Sequence, residues 1–322
     1  MKLATIKNAS PDGRLILVSA DGNRYLLAPS FKTLQEAIEN WTVALEFFED
    51  AAQRMAKGEG ESTAGLNFAA PLPRAWQWLD GSAFTSHGKL MQQAFNLDPI
   101  ETDKPLMYQG MSHRFYGPYD DIPFISEEDG IDFEGEFGVI VDHVPMGTKA
   151  EDAHQHIKLL VQINDWSLRT LAPAEMKTGF GWIQAKPACS MAAFAVTPDE
   201  AGAAWKDGRI HLNLEVSWNH TDFGHPHGGE MSVGFHELIA HAAATRELCA
   251  GTIIGSGTVS NDNFRATGSS CIAERRGMEI VYTGSPKTPY MHFGDQVDMQ
   301  VNYPEGNLLF GVIHQRVVKL NA

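Results

Sequence analysis

The sequence DFEGEF, residues 132–137, runs directly into the apolar segment GVIV, residues 138–141. The whole stretch alternates in polarity and is rich in Val, Ile and Phe, which predicts a β-strand. Side chains two residues apart on a strand point to the same side, so Asp132, Glu134 and Glu136 are expected to share one face. The stretch therefore predicts a row of carboxylates beside a buried apolar run.

Such a row of carboxylates is costly to bury unless a positive charge neutralises it. No Lys or Arg lies between Arg114 and Lys149, so a cation from the same stretch of chain cannot form the ion pair. A hard divalent cation, which prefers oxygen ligands, would neutralise the row. The alternative is a strand face exposed to solvent, and this segment alone does not decide between the two interpretations.

The length and composition limit the class of protein. The chain has 322 residues, of which 43% are hydrophobic and 20% charged, as in a soluble globular protein of one large or two modest domains. A net charge of −15 argues against non-specific binding to nucleic acid or to anionic membranes. The three cysteines, at positions 189, 249 and 271, are too widely spaced for a thiolate zinc cluster. Since we also find no apolar run of membrane-spanning length and no signal sequence, we expect a cytoplasmic protein.

The first 65 residues predict a small N-terminal α+β domain. Residues 14–18 and 24–27 are strand-like and flank a turn, which is typical of a hairpin. Between residues 31 and 55 the apolar residues recur every three or four positions, which predicts an amphipathic helix. The polar residues 57–63 are interpreted as a linker to a second domain, residues 66–322.

The second domain is predicted to be rich in strands. Strand-like runs occupy residues 138–141, 159–164, 192–196, 211–218, 279–281 and 296–301, and helical patterns occupy residues 149–156 and 235–248. No βαβ period repeats along the chain. The pattern favours a mixed α/β, β-rich and largely antiparallel architecture over a doubly wound parallel sheet.

Three further polar residues, Asp80, Asp165 and Lys186, become informative because of their order along the chain. Asp80 lies seven residues before His87, and Asp165 begins the sequence DWSLR at residues 165–169. Lys186 follows in the sequence QAKP, residues 184–187. Any one of them alone is more often a surface or core residue than a catalytic one.

In combination these residues resemble the fumarylacetoacetate hydrolase family. The matching segments are PLP at residues 71–73, Asp80 with His87, DFEGE at 132–136, NDWSLR at 164–169, Lys186, and the turn GSGTVS at 255–260. They occur in the family's order over about residues 70 to 300. The resemblance implies a fumarylacetoacetate hydrolase-like fold, which is largely an antiparallel β-roll or sandwich.

The family also implies a metal site. Asp80, Glu134, Glu136 and Asp165 would hold Mg²⁺ or Ca²⁺, with Mn²⁺ as a further candidate, in an all-oxygen site. The ion would bind the two oxygens of a β-diketone or 2-oxo acid. Asp132, on the same strand face, is expected to lie beside the ligands or in solvent.

The catalytic residues implied by the resemblance surround this metal site. His87 would activate a water molecule, oriented by a carboxylate late in the chain, for which Glu274 is our candidate and Glu279 the alternative. Arg169 and Lys186 would bind a substrate carboxylate or the oxyanion.

Two further positions are implied in substrate binding. Thr258 and the neighbouring amides would hold a terminal carboxylate. Tyr108 is interpreted either as a residue that contacts the substrate or as a half-buried packing residue. Residues 170–178 lack the polar glutamine and tyrosine that animal fumarylacetoacetases place there, so the substrate within the family stays open.

The leading hypothesis is a metal-dependent hydrolase that cleaves a carbon–carbon bond in a β-diketo acid, fumarylacetoacetate or a related acylpyruvate. The resemblance implies a homodimer that acts in the catabolism of tyrosine or other aromatic compounds. The alternative is a metal-dependent decarboxylase or isomerase of a 2-oxo acid such as oxaloacetate. His87 favours hydrolysis because decarboxylation has less need of a base that activates water. A third hypothesis, a catalytically silent binding protein, is disfavoured because the implied ligands and base are all present.

Overall fold

The protein is described by a computed structural model that covers residues 1–96, 98 and 102–320. Strands predominate in it, as the sequence predicts. The strands are β1 (Lys2–Ile6), β2 (Arg14–Val18), β3 (Arg24–Leu27), β4 (Glu61–Ser62), β5 (Trp78–Gly81), β6 (Met107–Gln109), β7 (Ile122–Phe124), β8 (Ile131–Asp132), β9 (Gly135–Val141), β10 (Ile157–Asn164), β11 (Ser167–Leu168), β12 (Ser190–Met191), β13 (Phe194–Val196), β14 (Trp205–Lys206), β15 (Arg209–Ile210), β16 (Glu215–Trp218), β17 (Thr221–Gly224), β18 (Thr252–Gly255), β19 (Gln296–Asn302) and β20 (Leu308–Lys319). The α-helices are α1 (Leu34–Glu39), α2 (Trp41–Ala56), α3 (Thr85–Phe95), α4 (Ala150–Ala153), α5 (Ala172–Thr178), α6 (Pro198–Ala201), α7 (Phe235–Ala242), α8 (Phe264–Thr267) and α9 (Ile272–Thr283).

Two sheets organise the fold. The larger has eleven strands, ten of them in the order β4-β3-β2-β1-β13-β10-β9-β18-β5-β6, with β12 paired to β10. Its neighbours run antiparallel except β18 and β5, which are parallel. The second sheet has the order β17-β16-β19-β20-β7 and is antiparallel except for the β20–β7 pair. The predicted mixed α/β, largely antiparallel fold is thus confirmed.

The N-terminal strands extend the large sheet, because β1 pairs with β13 across Lys2 and Val196. Alternate residues of this hairpin face different cores. Leu15 and Leu17 pack with Phe48 of α2, whereas Ile16 and Val18 face the main core. The structure thereby confirms the hairpin and a small N-terminal α+β unit, while the boundary at residue 65 stays a prediction.

The N-terminal elements differ from the prediction in two details. The single helix expected over residues 31–55 is two helices, because Asn40 leaves helical geometry with φ −124° and ψ 38°. The predicted linker, residues 57–63, contains the short strand β4, which pairs with β3.

The C-terminal elements also correct the prediction. The strand predicted at residues 279–281 is wrong, because these residues belong to α9, which buries Ile272, Ala273 and Gly277 on one face. A short apolar run has too few residues to separate a strand from a helical face. The other elements predicted in the second domain are present with shifted ends. Helix α7 and strand β16 are shorter than predicted, because α7 ends at Ala242 and β16 begins at Glu215, whereas β9 and β10 are longer and begin at Gly135 and Ile157. None of the helices within the described ranges is long and apolar enough to cross a membrane.

The order β10-β9-β18-β5 brings together acidic residues that are distant in sequence. Gly255 on β18 lies between the neighbouring strands β5 and β9 at the place where these residues meet. Gly255 lies opposite Asp80 on one side and Gly138 on the other. A Cβ at Gly255 would lie 2.3 Å from the Oδ1 atom of Asp80 and 2.3 Å from the Trp78 ring. The absence of a side chain at Gly255 therefore leaves the space that the Asp80 carboxylate and the Trp78 ring occupy.

We predict that Gly255→Ala lowers the free energy of unfolding by about 1–3 kcal/mol, the usual cost of overpacking a core. Gly88→Ala is the matched control, because its Cβ would meet no atom within 4 Å and alanine favours the helix α3. Chemical denaturation of both variants measures the effect. Equal stability of the two variants would contradict the role assigned to Gly255.

Candidate active site

Three carboxylates from separate strands meet at one point. Asp80 lies on β5, Glu136 on β9, and Asp165 directly follows β10. Each offers an oxygen within 4.8 Å of an oxygen of the other two, and all three side chains are buried. The chain continues the pairing of β9 and β10 at this point, since the Asp165 N–H donates to the Glu134 carbonyl at 2.9 Å. We call Asp80, Glu136 and Asp165 the acidic triad.

The protein around the triad does not supply enough positive charge to keep all three carboxylates ionised. Burial, followed by repulsion from Asp165, raises the pKa of Asp80 to about 8. Burial, followed by repulsion from Asp80 and Asp165, raises the pKa of Glu136 well above its ordinary value. Both carboxylate oxygens of Glu136 are buried without a hydrogen-bond partner among the described residues. A divalent cation that prefers oxygen ligands fits this donor set.

Glu134 has a different environment from the triad. Its carboxylate accepts hydrogen bonds from Arg169 Nη2 and from Lys186 Nζ, the latter at 2.6 Å. Burial alone would raise the pKa of Glu134, but the positive charges of Arg169 and Lys186 outweigh it and hold the pKa below its ordinary value. Lys186 also donates to Asp165, so Glu134 lies beside the triad. Its role as a metal ligand remains a prediction.

Asp132 is buried, which excludes the solvent-exposed alternative and supports the position beside the candidate ligands, since Arg169 donates to both Asp132 and Glu134. Its carboxylate accepts from Arg169 Nε at 2.7 Å and from the N–H groups of Ile272 and Ala273 at 2.7 and 2.9 Å. These two amides belong to the first turn of α9, where unpaired N–H groups and the helix dipole favour an anion. Asp132 therefore fixes the start of α9 relative to the acidic residues 132–136.

His87 and Glu274 come together because α3 and α9 pack against each other. The Nδ1 atom of His87 lies 3.5 Å from Oε1 of Glu274, which is buried in the first turn of α9. Ser260 and Ser269 donate hydrogen bonds to the two oxygens of Glu274. Glu279, the alternative partner, instead accepts the N–H groups of Lys287 and Thr288. The structure thus places Glu274 beside His87, as the leading assignment expects.

Arg169 and Lys186 keep free donors despite their ion pairs. Among the described residues, Arg169 uses two of its five N–H donors, one on Nε and one on Nη2. Lys186 uses two of the three N–H donors of its ammonium group. Burial lowers the pKa of Lys186, but Asp165 and Glu134 raise it by more, so the amine stays protonated. Each cation can therefore still bind an anionic group.

Tyr108 and the turn after β18 both contact the triad. The Tyr108 hydroxyl donates to Asp165 Oδ2 at 2.7 Å, and Lys186 Nζ lies 5.7 Å from the centre of its ring. In the turn, the Gly257 N–H donates to Asp80 Oδ1 at 3.1 Å, and Thr258 is buried next to it. Both Tyr108 and Thr258 lie at the site, and their contact with substrate remains a prediction.

The sequence did not reveal every residue at the site. Cys189 places its Sγ atom 2.9 Å from Asp165 Oδ1, and no motif in its neighbourhood indicates this contact. The contacts of Ser260 and Ser269 with Glu274 were also not predicted. Ser260 ends the turn at 255–260 that carries the family resemblance, so that turn was the available signal.

Comparison with known proteins identifies the family. The model of the fumarylacetoacetate (FAA) hydrolase C-terminal domain matches residues 77–318, and that of fumarylacetoacetase N-terminal domain 2 matches residues 1–74. The chain therefore belongs to the fumarylacetoacetate hydrolase family. No curated protein matches its sequence.

Solved structures share the fold at low sequence identity. Fumarylacetoacetate hydrolase from Exiguobacterium antarcticum has a TM-score of 0.69 and 18% identity, over 99% of this chain and 100% of that one. Maleylpyruvate hydrolase from Sphingobium sp. SYK-6, in complex with manganese(II) ion and pyruvate, has a TM-score of 0.68 and 15% identity over the full length of both chains. The 5-carboxymethyl-2-hydroxymuconate delta-isomerase from Mycobacterium smegmatis has a TM-score of 0.62 and 17% identity, again over both full lengths. Hydrolases and an isomerase thus share this fold.

We predict that Glu136→Gln weakens Mn²⁺ binding by about 100-fold or more, because it removes a candidate carboxylate ligand whose oxygens have no hydrogen-bond partner in the described part of the chain. Isothermal titration calorimetry of the metal-free protein with Mn²⁺ measures the affinity. Glu247→Gln, at an exposed glutamate, is the matched control and should bind like the wild type. Undiminished affinity in Glu136→Gln would contradict the metal site.

The raised pKa of Asp80 predicts a pH dependence of stability in metal-free protein. Between its ordinary pKa of about 4 and its folded pKa of about 8, folded Asp80 holds a proton that the unfolded chain has lost. The unfolding free energy should therefore fall across this window as the pH rises, and less steeply in Asp80→Asn. Urea denaturation in a chelator at several pH values tests this, with exposed Asp222→Asn as the control. Identical slopes in the wild type and Asp80→Asn would refute it.

Proposed function

We propose that this chain is a divalent-cation-dependent hydrolase that cleaves a carbon–carbon bond in a β-diketo acid, either fumarylacetoacetate or a related acylpyruvate. The observation that carries the proposal is that His87 Nδ1 lies 3.5 Å from an oxygen of buried Glu274. His87 is also close to the acidic cluster, because its positive charge helps to lower the pKa of Glu134. Hydrolysis needs a base that takes a proton from water, and a histidine oriented by a carboxylate suits that task. Such a reaction would belong to the catabolism of aromatic amino acids, tyrosine included, or of other aromatic compounds.

The acidic triad would hold the metal ion, with Glu134 as the fourth candidate ligand. Mg²⁺, Ca²⁺ and Mn²⁺ all suit carboxylate ligands, so the donor set does not choose among them. When bound, the ion would polarise the keto oxygens of the substrate. Tyr108, Lys186 and Cys189 all donate to Asp165 and would fix the orientation of that ligand.

His87 would take a proton from the attacking water, whose oxygen adds to the carbonyl carbon of the acyl group. The bond between that carbon and the methylene then breaks. The acyl fragment is released as a carboxylate, and the methylene carbon of the other fragment takes up a proton to become a methyl group. Glu274 would orient His87 and stabilise its protonated form.

Charged and polar neighbours would bind the anionic parts of the substrate. The free donors of Arg169 and Lys186 would hold the carboxylate of the diketo acid or the oxyanion that forms at the attacked carbon. Thr258 and the adjacent amides would hold a terminal carboxylate, and Tyr108 would contact the substrate next to Asp165. We also propose that the protein acts as a homodimer on a small-molecule substrate.

Decarboxylation or isomerisation of a 2-oxo acid is the alternative activity at the same site. Decarboxylation does not incorporate water and has less need of a base, so the His87–Glu274 pair favours hydrolysis over decarboxylation. Product analysis distinguishes hydrolysis from decarboxylation and isomerisation, because hydrolysis alone converts an acylpyruvate into pyruvate and a second carboxylic acid.

We predict that His87→Ala lowers kcat for acylpyruvate cleavage by about 10²–10⁴-fold and leaves Mn²⁺ affinity unchanged, because His87 is the base and lies outside the triad. Steady-state assays and calorimetry on the same preparations measure both quantities. His241→Ala, at a partly buried histidine of α7, is the matched control. Full activity in His87→Ala would overturn the role of His87.

A further inference from the structure

The chain between Arg169 and Lys186 exposes apolar side chains close to the site. It consists of α5 followed by Gly179, Phe180, Gly181, Trp182 and Ile183, and we call residues 172–183 the apolar flap. Phe180 is 97% exposed and Ile183 is 83% exposed, and Met176 is more than half exposed. Large apolar side chains clustered in this way are typical of a binding surface.

Hydrogen bonds hold the base of the flap in a defined position. The Glu175 carboxylate accepts the N–H groups of Ile183, Gln184 and Ala185 at 3.1, 2.8 and 3.0 Å. These bonds lower the pKa of Glu175, so the carboxylate stays charged at neutral pH. The exposure of Phe180 therefore belongs to a defined turn and not to a loose end of chain.

Trp182 connects the flap to the acidic triad. Its ring packs edge-on against Tyr108, with 6.2 Å between ring centroids and 83° between the planes. The Tyr108 hydroxyl donates to Asp165, and Lys186 lies over the face of the same ring. A substrate held at the triad would extend past Tyr108 toward Trp182 and the tip of the flap.

The charges near the flap disfavour a second anionic group on the substrate. Arg169 and Lys186 already pair with Asp132, Glu134 and Asp165, and their remaining donors are needed for the reacting end. Within residues 172–183 the single cationic side chain is Lys177. The flap thus presents mainly apolar surface to the far end of the substrate.

We propose that the apolar flap recognises the acyl end of the substrate, and that Trp182 and Phe180 select acylpyruvates with an uncharged aliphatic or aromatic acyl group over those ending in a carboxylate. This inference rests on the proposed hydrolase function and specifies its substrate class. The flap leaves the pyruvyl end of the substrate to Arg169, Lys186 and the metal site, and the terminal carboxylate proposed for Thr258 is then the one at the pyruvyl end. Fumarylacetoacetate, whose acyl end carries a second carboxylate, would be disfavoured within the proposed function.

The test measures cleavage of two acylpyruvates of equal chain length in the presence of Mn²⁺. One is hexanoylpyruvate, and the other is its analogue with a carboxylate at the end of the acyl chain. We expect the wild type to prefer hexanoylpyruvate by roughly tenfold or more in kcat/KM, the scale on which an apolar pocket discriminates. Trp182→Ala and Phe180→Ala should raise KM for hexanoylpyruvate and leave KM for the charged analogue within about twofold. Trp182→Phe should restore most of the preference.

Ile125→Ala is the matched control, because Ile125 is an exposed apolar residue outside the flap and should not change the preference. Lys177→Ala tests the opposite assignment. If this variant loses kcat/KM selectively on the charged analogue, Lys177 recognises the carboxylate and the proposal is overturned.

If the flap variants lose kcat/KM equally on both substrates and also form a smaller assembly in sedimentation velocity, the flap is a subunit contact instead. A wild type that cleaves neither acylpyruvate nor fumarylacetoacetate would refute the proposed function itself. Cleavage of fumarylacetoacetate alone, or cleavage of both acylpyruvates without the preference, would refute only the substrate class.

Discussion

The structure depends on how five buried carboxylates are compensated by two cations. The carboxylates are Asp80, Asp132, Glu134, Glu136 and Asp165, and the cations are Arg169 and Lys186. The cations satisfy Asp132 and Glu134 and contact one side of Asp165, which leaves too little positive charge to keep all three triad carboxylates ionised. Burying ionised carboxylates is costly, and a bound divalent cation would offset that cost. The shortage of positive charge is therefore the physical reason to regard this cluster as a functional site.

The sheet order and one helix hold this cluster in place. Strand β18 lies between β5 and β9 and carries glycine at the point where Asp80 must reach Glu136. Asp132 binds the first turn of α9, and the same turn carries Glu274 to His87. The candidate metal ligands and the candidate base are thus coupled through residues 132–136 and through α9, which begins against Asp132.

Short sequence motifs predict part of the site. Asp80, Glu136 and Asp165 are predicted to meet, and they do, because each belongs to a short motif beside a strand. The neutralisation of Asp132 and Glu134 is not visible in the neighbouring sequence, because the cations that bind them lie more than thirty residues away along the chain. The strand predicted at residues 279–281 is wrong for a related reason, since a segment of three residues carries too little information to reveal the helix around it.

The sequence by itself determined the β-rich class, the N-terminal hairpin, the family motifs and the residue types at the site, because these depend on periodicity and on short spacings. Only the tertiary structure decided which carboxylates are paired and which are left unpaired. Glu134 and Glu136 are two residues apart on the same acidic stretch, yet one accepts two cationic donors and the other accepts none. That difference arises from the strand pairing and from the return of Arg169 and Lys186, which no local pattern in the sequence encodes.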